Sequence, residues 1–226
     1  MIFSKKEYFI YIFIMVLLIF ISYFAIDKKV AMYFIGHADI YKHIGKIIGI
    51  FGQSQWYIGT AIVGALYYAF MKKNSVYLHR FLFLLYANIF SGLASLVFKI
   101  FFARMRPWKL ENGGDGYGFL ISQNPDFTFL QDIKYQFSML IHSSTTNTSF
   151  PSGHTTTIFA MFTYMSILFP RYIYLWLGLA SVEGFSRVLA NDHFISDILA
   201  GILVGTISTM FVYSKVKEKI NTKKQK

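Results

Sequence analysis

Three short groups of polar residues interrupt an otherwise strongly apolar sequence, at residues 99–107, 151–154 and 186–197. Together they supply three cations, two imidazoles and one carboxylate: Lys99, Arg106, Arg187, His154, His193 and Asp197. Ionisable side chains beside lipid are costly, so such a collection at the ends of hydrophobic segments is typical of a functional site. These are the groups needed to hold a phosphate and to transfer it.

The cations match the charge and shape of a phosphate group. Arginine can bind two phosphate oxygens at once, whereas lysine acts as a compact point charge. We therefore expect Lys99, Arg106 and Arg187 to neutralise the bound phosphate and to stabilise the equatorial oxygens of an in-line transition state. Ser152 and Gly153 directly precede the fourth hydrophobic segment. Free backbone amides at the start of that helix are predicted to form a further seat for the anion.

The two histidines are predicted to share the chemical steps. His193 and Asp197 are four residues apart, so one helical turn would place the carboxylate against the imidazole. Such a contact fixes the tautomer and leaves the other ring nitrogen free to attack, which predicts His193 as the nucleophile that forms a phosphohistidine. His154 is predicted to be the general acid, which protonates the leaving alkoxide and afterwards activates water. An unperturbed pKa of about 6.5 suits histidine to both roles.

Each polar group also has an ordinary structural explanation. A Ser-Gly pair before a helix is a common cap, and a carboxylate inside an apolar segment usually has a partner. Glu183, one turn before Arg187, is accordingly predicted to pair with that arginine, with a role in substrate recognition as the alternative. Two histidines and one aspartate could also bind zinc. Three nearby cations would repel the metal, so we predict no metal and no cofactor.

The composition indicates an integral membrane protein rather than a soluble domain. The chain has 226 residues, of which 55% are hydrophobic and 15% are charged, and it is interpreted as one domain covering residues 1–226. The formal net charge of +11 could suggest nucleic acid. Six lysines, however, lie in the tail at residues 215–226, where anionic lipid headgroups are the better explanation. No nucleic-acid motif accompanies them, so no nucleic-acid partner is predicted.

The hydrophobic pattern predicts an all-α fold, a polytopic bundle of six transmembrane helices. A span needs roughly 20 apolar residues, and six segments come near that length: residues 8–26, 55–71, 81–102, 154–169, 172–190 and 194–213. Between the first two, isoleucines recur at helical spacing over residues 40–51. That pattern predicts a short helix, which either lies along the membrane interface or packs on the bundle. The long connection at residues 108–150 is typical of a functional loop.

The distribution of lysine and arginine predicts the orientation of the six spans. The face that holds both termini carries twelve of the 22 cations, six of them in the tail. The positive-inside rule therefore places both termini in the cytoplasm. The third span then ends at residues 99–107 on the outer face, the fourth begins there, the fifth ends there at Arg187, and the sixth begins there after His193. All six ionisable residues are thus predicted to reach the same membrane surface.

Three spacings carry a resemblance to a known family. They are Lys-x6-Arg-Pro ending at Pro107, Pro-Ser-Gly-His from Pro151, and Ser-Arg-x5-His-x3-Asp from Ser186. These resemble the signature motifs of the type 2 phosphatidic acid phosphatase family in order and spacing. The resemblance implies a membrane-embedded, metal-independent phosphatase that acts on lipid phosphates or pyrophosphates through a phosphohistidine. Vanadium haloperoxidases share this motif architecture, but they are not built from transmembrane segments.

The sequence therefore predicts a lipid phosphate phosphatase with its site on the periplasmic face of a bacterial inner membrane. The resemblance leaves three substrates open: undecaprenyl pyrophosphate, phosphatidylglycerophosphate and phosphorylated lipid A. A phosphotransferase that passes the phosphate to another lipid is an alternative with the same intermediate. A transporter with an anion-selective pocket is less well supported, because inverted repeats and broken helices are not evident in the sequence. The sequence predicts no oligomeric state.

Overall fold

The computed structural model describes residues 5–111, 117–119, 126–141 and 148–221. Within those ranges the chain is helical and contains no strand. The helices are α1 (Lys5–Ala25), α2 (Asp27–Gly36), α3 (Ala38–Gly49), α4 (Ser54–Leu66), α5 (Ser75–Phe102), α6 (Trp108–Glu111), α7 (Phe129–Ile141), α8 (Gly153–Leu168), α9 (Ile173–Leu189) and α10 (Ile195–Asn221). A π-helical turn, Tyr67–Met71, extends α4. The all-α prediction is confirmed.

The six predicted spans coincide with α1, α4, α5, α8, α9 and α10. Three of them, α1, α5 and α10, are long and apolar enough to cross a membrane by length and composition. The count of six spans remains a prediction, because α4, α8 and α9 have 13, 16 and 17 residues. The basic tail predicted from residue 215 begins inside α10, which continues to Asn221, and residues 222–226 lie outside the described part of the chain.

Large apolar side chains cover the outside of the bundle. Phe13 on α1, Val63 on α4 and Tyr174 on α9 are 70%, 68% and 86% exposed. Soluble monomers rarely expose apolar patches on this scale, so the surface is suited to hydrocarbon rather than to water. The exposed belt and the apolar helices together indicate a membrane protein.

The centre of the bundle is formed by α5, α8 and α10, which pack on one another. Helices α8 and α10 approach closely because two glycines of α10 face the backbone of α8. A Cβ added at Gly201 would lie 2.8 Å from the carbonyl oxygen of Ser152, and one added at Gly205 would lie 3.0 Å from the backbone nitrogen of Ala160. Small residues at such a crossing let two helices meet backbone to backbone. This contact brings the first turns of α8 and α10 together.

The amphipathic helix predicted over residues 40–51 is α3, and it packs on α9. Gly45 and Gly49 face the end of α9, and a Cβ added at Gly45 would lie 2.6 Å from the backbone nitrogen of Ala190. Ile40 and Ile47, on another face, are exposed. The helix therefore packs on the bundle, and its position along the membrane interface remains a prediction.

The connection predicted as a loop at residues 108–150 contains two helices, α6 and α7. Apolar residues recur along α7 at helical spacing, which the sequence analysis did not recognise. The glycine-rich stretch at residues 112–116 lies outside the described residues.

Candidate active site

The three polar groups meet where α5 ends and where α8 and α10 begin. The amide of Ser152 donates to the carbonyl oxygen of Asp197 at 3.0 Å. The ammonium of Lys99 donates to the carbonyl oxygen of Pro151 at 2.9 Å and also to that of Thr148. Each of the three segments is therefore in hydrogen-bond contact with another, although they are far apart in the sequence.

The end of α5 determines where the cations of the first group lie. Lys99 belongs to the last turn of this helix, and Ala103 terminates it in a left-handed conformation with φ of 41°. The non-helical residues that follow carry Arg104 into the interior, where it is 0% exposed. Arg106 remains partly exposed beside Asp192, with 3.7 Å between Nη1 and the carboxylate. The end of α5 at Ala103 thus directs Arg104 into the interior and leaves Arg106 at the rim of the site.

His193 is held by a backbone carbonyl. Its Nδ1 lies 2.8 Å from the carbonyl oxygen of Ser149, and the residue is 2% exposed. Because a carbonyl only accepts hydrogen bonds, Nδ1 carries the proton in the neutral ring and the lone pair is on Nε2. Burial, followed by the nearby charge of Arg106, holds the pKa of His193 well below its ordinary value. The imidazole is therefore neutral and has the protonation state that a nucleophile requires.

The predicted contact between His193 and Asp197 is present, but it does not lie within a helix. Helix α10 begins at Ile195, so His193 lies in the turn before the helix. Its Nδ1 is 3.7 Å from the carboxylate of Asp197, while the short hydrogen bond goes to Ser149. The carbonyl orients the ring, and the carboxylate acts on it by charge.

The carboxylate of Asp197 is part of a buried network that the sequence analysis missed. It accepts hydrogen bonds from Arg104 Nη1 at 2.6 Å, from Ser149 Oγ at 2.5 Å and from the amide of Phe194 at 2.8 Å. Arg104 also donates from Nη2 to Asp27 at 2.9 Å, and both of its carboxylate partners are fully buried. One guanidinium thus joins the start of α2 to the start of α10.

Aromatic rings surround the guanidinium of Arg104. It lies 4.0 Å from the ring centroid of Phe194 and 5.1 Å from those of Tyr23 and Phe119. Arginine stacks favourably on aromatic faces, above all where water is excluded. The cost of ionisable residues beside lipid would have flagged both Arg104 and Asp27 in the sequence, since each lies at the end of a hydrophobic segment.

Two arginines predicted to bind phosphate share one carboxylate. Arg187 donates to Asp192, and the same carboxylate is the ion-pair partner of Arg106. The predicted pairing of Glu183 with Arg187 is wrong: both oxygens of the buried Glu183 carboxylate lack a hydrogen-bond partner among the described residues. The ion-pair partner of Arg187 is instead Asp192, which lies beyond the turn that ends α9.

The start of α8 offers fewer free backbone amides for an anion than the sequence predicts. The hydroxyl of Ser152 caps the helix by accepting from the Thr155 amide at 3.4 Å, and its own amide is bonded to Asp197. Ser152 therefore fixes the helix start and does not offer a free amide. Gly153 and His154, the first residues of α8, are half-buried beside Lys99 at the end of a cavity.

That cavity has a volume of about 650 Å³ and opens between α4, α5 and α8. Its polar end contains His154, Gly153 and Lys99, and its walls continue along α4 and α5. The apolar part of the wall is formed by Ile58, Ile89, Leu93 and Leu96. A charged end and an apolar wall suit a molecule with a phosphate head and a hydrocarbon tail.

Comparison with known proteins identifies one family and several relatives. The family model of the PAP2 superfamily matches residues 80–221. A lipid A 1-phosphatase of Rhizobium johnstonii is 31% identical over 187 residues, which cover 77% of this chain and 68% of the relative. A lipid A 4'-phosphatase of Porphyromonas gingivalis is 29% identical over 71% of this chain and 61% of the relative. A bacitracin transport permease protein of Bacillus licheniformis is 37% identical over 29% of this chain and 32% of the relative. No solved structure matches the chain.

Proposed function

This chain belongs to the PAP2 superfamily and is a lipid phosphate phosphatase, and we propose that it acts through a phosphohistidine formed on His193. The observation that carries the proposal is the hydrogen bond between Nδ1 and the Ser149 carbonyl. It leaves the Nε2 lone pair as the only nucleophilic position of a neutral ring. Nε2 bonds to phosphorus while the bond from phosphorus to the lipid oxygen breaks.

His154 completes the reaction as general acid and then as general base. It gives a proton to the leaving lipid oxygen and later takes one from the water that attacks the phosphohistidine. That second step releases inorganic phosphate and restores the neutral imidazole of His193. The position of His154 at the polar end of the cavity supports this role, because a lipid bound in the cavity would leave next to it.

The cations would bind the phosphoryl oxygens throughout. Lys99 gives two of its three N–H donors to the carbonyls of Thr148 and Pro151, which leaves one for phosphate. Arg106 and Arg187 would exchange the Asp192 carboxylate for phosphate oxygens. A phosphoryl group spreads its transition-state charge over three equatorial oxygens, so three donors of this kind lower the barrier.

We take phosphorylated lipid A as the first substrate to test, followed by undecaprenyl pyrophosphate and phosphatidylglycerophosphate. Two relatives are named as lipid A phosphatases. The cavity has an apolar wall and is lined by Lys99 and Gly153, two of the residues proposed to bind phosphate. The proposed setting is the inner membrane, with six spans in one domain of residues 1–226. The termini would be cytoplasmic and the site periplasmic.

The sidedness can be measured directly because the chain contains no cysteine. Thr128→Cys places a thiol just before α7, in the connection that follows the first polar group, and Lys73→Cys places one in the turn between α4 and α5. A membrane-impermeant thiol reagent added to intact spheroplasts should label Thr128→Cys alone. Labelling of Lys73→Cys alone would reverse the proposed orientation.

The intermediate can be trapped by rapid denaturation during turnover of a radiolabelled lipid phosphate. We expect label on the protein that is stable to alkali and labile to acid, as phosphoramidates are. His193→Ala should abolish both the label and phosphate release, whereas His154→Ala should slow release. The matched control is His79→Ala, at the other end of α5. Full turnover by His193→Ala, or label retained on that variant, would refute the proposal. Release of free phosphate separates hydrolysis from transfer to a second lipid.

A further inference from the structure

Two polar side chains on α5 lie in the cavity wall away from the phosphate-binding end. Asn88 and Ser95 are 4% and 3% exposed, and both line the cavity that contains Lys99 and His154. At 1.5 Å rise per residue, Ser95 lies about 6 Å and Asn88 about 16 Å along the helix from Lys99. The three residues share one face of the helix, so a polar stripe leads away from the phosphate-binding residues.

Both side chains have an unused hydrogen-bonding atom. Asn88 Oδ1 and Ser95 Oγ have no hydrogen-bond partner among the described residues. The amide of Asn88 is already oriented, because Nδ2 donates to the carbonyl oxygen of Leu84 at 3.0 Å. Its remaining capacity is therefore that of an acceptor, while the hydroxyl of Ser95 can donate or accept.

A second buried serine on the same helix, which does not line the cavity, behaves differently. Ser91 is also buried, but its hydroxyl donates to the carbonyl oxygen of Asn88 at 3.1 Å. That local bond is the usual way for a serine to satisfy itself inside an apolar helix. Ser95 does not use it. Between them, Gly92 lines the same cavity, and a Cβ added there would find no atom within 4 Å, so the cavity is open at that point of α5.

We propose that Asn88 and Ser95 determine substrate specificity by binding hydrogen-bonding groups in the lipid portion of the substrate. Unsatisfied polar atoms are costly at membrane depth, and a bound lipid that satisfies them is favoured over one that does not. Asn88 Oδ1 requires a donor, which amide N–H groups and hydroxyls provide and ester linkages and plain hydrocarbon do not. The preferred substrate is therefore a phosphorylated lipid whose chains are attached by amides or carry hydroxyls within about 16 Å of the phosphate.

The inference rests on the proposed function, since it concerns the substrate of that site. The test compares phosphate release from two lipids, lipid A with amide-linked hydroxyacyl chains and undecaprenyl pyrophosphate, which has only hydrocarbon beyond its phosphates. Asn88→Leu keeps the branching and the number of side-chain heavy atoms but removes the acceptor, and it should lower kcat/KM for lipid A about tenfold. Ser95→Ala should lower it about three- to tenfold. The value for undecaprenyl pyrophosphate should change less than about twofold in both variants.

Ser91→Ala is the matched control and should leave the ratio of the two kcat/KM values unchanged. If Asn88→Leu does not fold, Ser95→Ala decides the question, because it removes a single oxygen atom. An equal effect on both lipids, or an effect on neither, would overturn the role of the polar stripe while the phosphatase mechanism stands. Wild-type protein that releases phosphate from neither of these lipids nor from phosphatidylglycerophosphate would instead overturn the proposed function, and this inference with it.

Discussion

Arg104 and Asp197 form a fully buried ion pair, with 2.6 Å between Nη1 and Oδ1. The same carboxylate is 3.7 Å from Nδ1 of His193, so the pair lies directly behind the proposed nucleophile. The second nitrogen of the guanidinium binds Asp27 at the start of α2. The Asp197 carboxylate, whose charge acts on His193, is thus linked through Arg104 to Asp27. Asp27 lies in the first part of the chain, far from the motif that contains Asp197.

Removal of this guanidinium should destabilise the fold. Arg104→Met leaves Asp27 and Asp197 buried without a counter-charge, and breaking a buried pair costs about 3–5 kcal/mol. Thermal unfolding in detergent should show a clearly lower midpoint. The exposed Arg171 provides the control, and Arg171→Met should change stability by no more than about 0.5 kcal/mol. A midpoint for Arg104→Met equal to that of the wild type would contradict the structural role of the pair.

The pH dependence of catalysis should reflect the environment of His193. The proposed nucleophile must be neutral to attack, and burial together with the charge of Arg106 lowers the pKa of His193. Activity should therefore persist below the ordinary histidine pKa of about 6.5 before protonation of the nucleophile abolishes it. Arg106→Gln removes one cause of the low pKa, so the acid limb of kcat/KM should move to higher pH.

The profiles of Arg106→Gln and wild type are to be measured with the same lipid, so that titration of the substrate affects both equally. Arg171→Gln serves as the control and should leave the acid limb where it is. An acid limb that stays in place in Arg106→Gln while kcat/KM falls would mean that Arg106 binds phosphate without acting on His193.

Neutralising Asp192 should strengthen the binding of inorganic phosphate. Its carboxylate pairs with both Arg106 and Arg187, and an incoming phosphate must compete for the same guanidinium groups. We expect Asp192→Asn to lower the inhibition constant of phosphate about three- to tenfold, a range set by the modest strength of partly exposed ion pairs. Slower turnover at high product concentration should accompany it.

Asp126→Asn removes the same charge from an exposed turn before α7 and should leave phosphate inhibition unchanged. Weaker phosphate binding by Asp192→Asn would show that the carboxylate positions the two arginines rather than competing with the substrate.

The packing of α3 on α9 should matter for catalysis through Gly49. A Cβ at this position would overlap the guanidinium of Arg187, so Gly49→Ala should displace a group that we propose to bind phosphate. Misplacement of such a group by about 1 Å can cost roughly 100-fold in rate, and we expect a loss of kcat/KM of about 10- to 100-fold. Gly59→Ala is the control, since a Cβ there meets no atom within 4 Å. Equal activity of the two variants would refute the role assigned to this contact.

The sequence predicted the helices well because long apolar segments carry a strong signal. The six segments correspond to six helices, and the three motifs lie where α5, α8, α9 and α10 begin or end. Boundaries were less accurate, as the extension of α10 to Asn221 shows. Helix propensity continues past the apolar stretch there, so hydrophobicity alone places the end too early.

The partners of the site residues were harder to predict, for two physical reasons. The orienting acceptor of His193 is a backbone carbonyl, and a backbone atom has no residue type for a pattern to detect. Arg104 and Asp27 are 77 positions apart, so no local spacing connects them. Glu183 was assigned to Arg187 by helical spacing, but Asp192, beyond the end of α9, forms the ion pair. Spacing rules do not rank competing partners from different segments.

The crossing of α8 and α10 at Gly201 and Gly205 has a consequence for how such a protein can diversify. Backbone contact sets the separation of the two helices, so no flexible side chain intervenes between the segments that carry His154 and His193. The residues proposed to break the phosphate bond can stay constant while the residues of α4 and α5 that line the cavity change. The specificity for the lipid would then change by substitution in the cavity wall, while the surroundings of His154 and His193 stay the same.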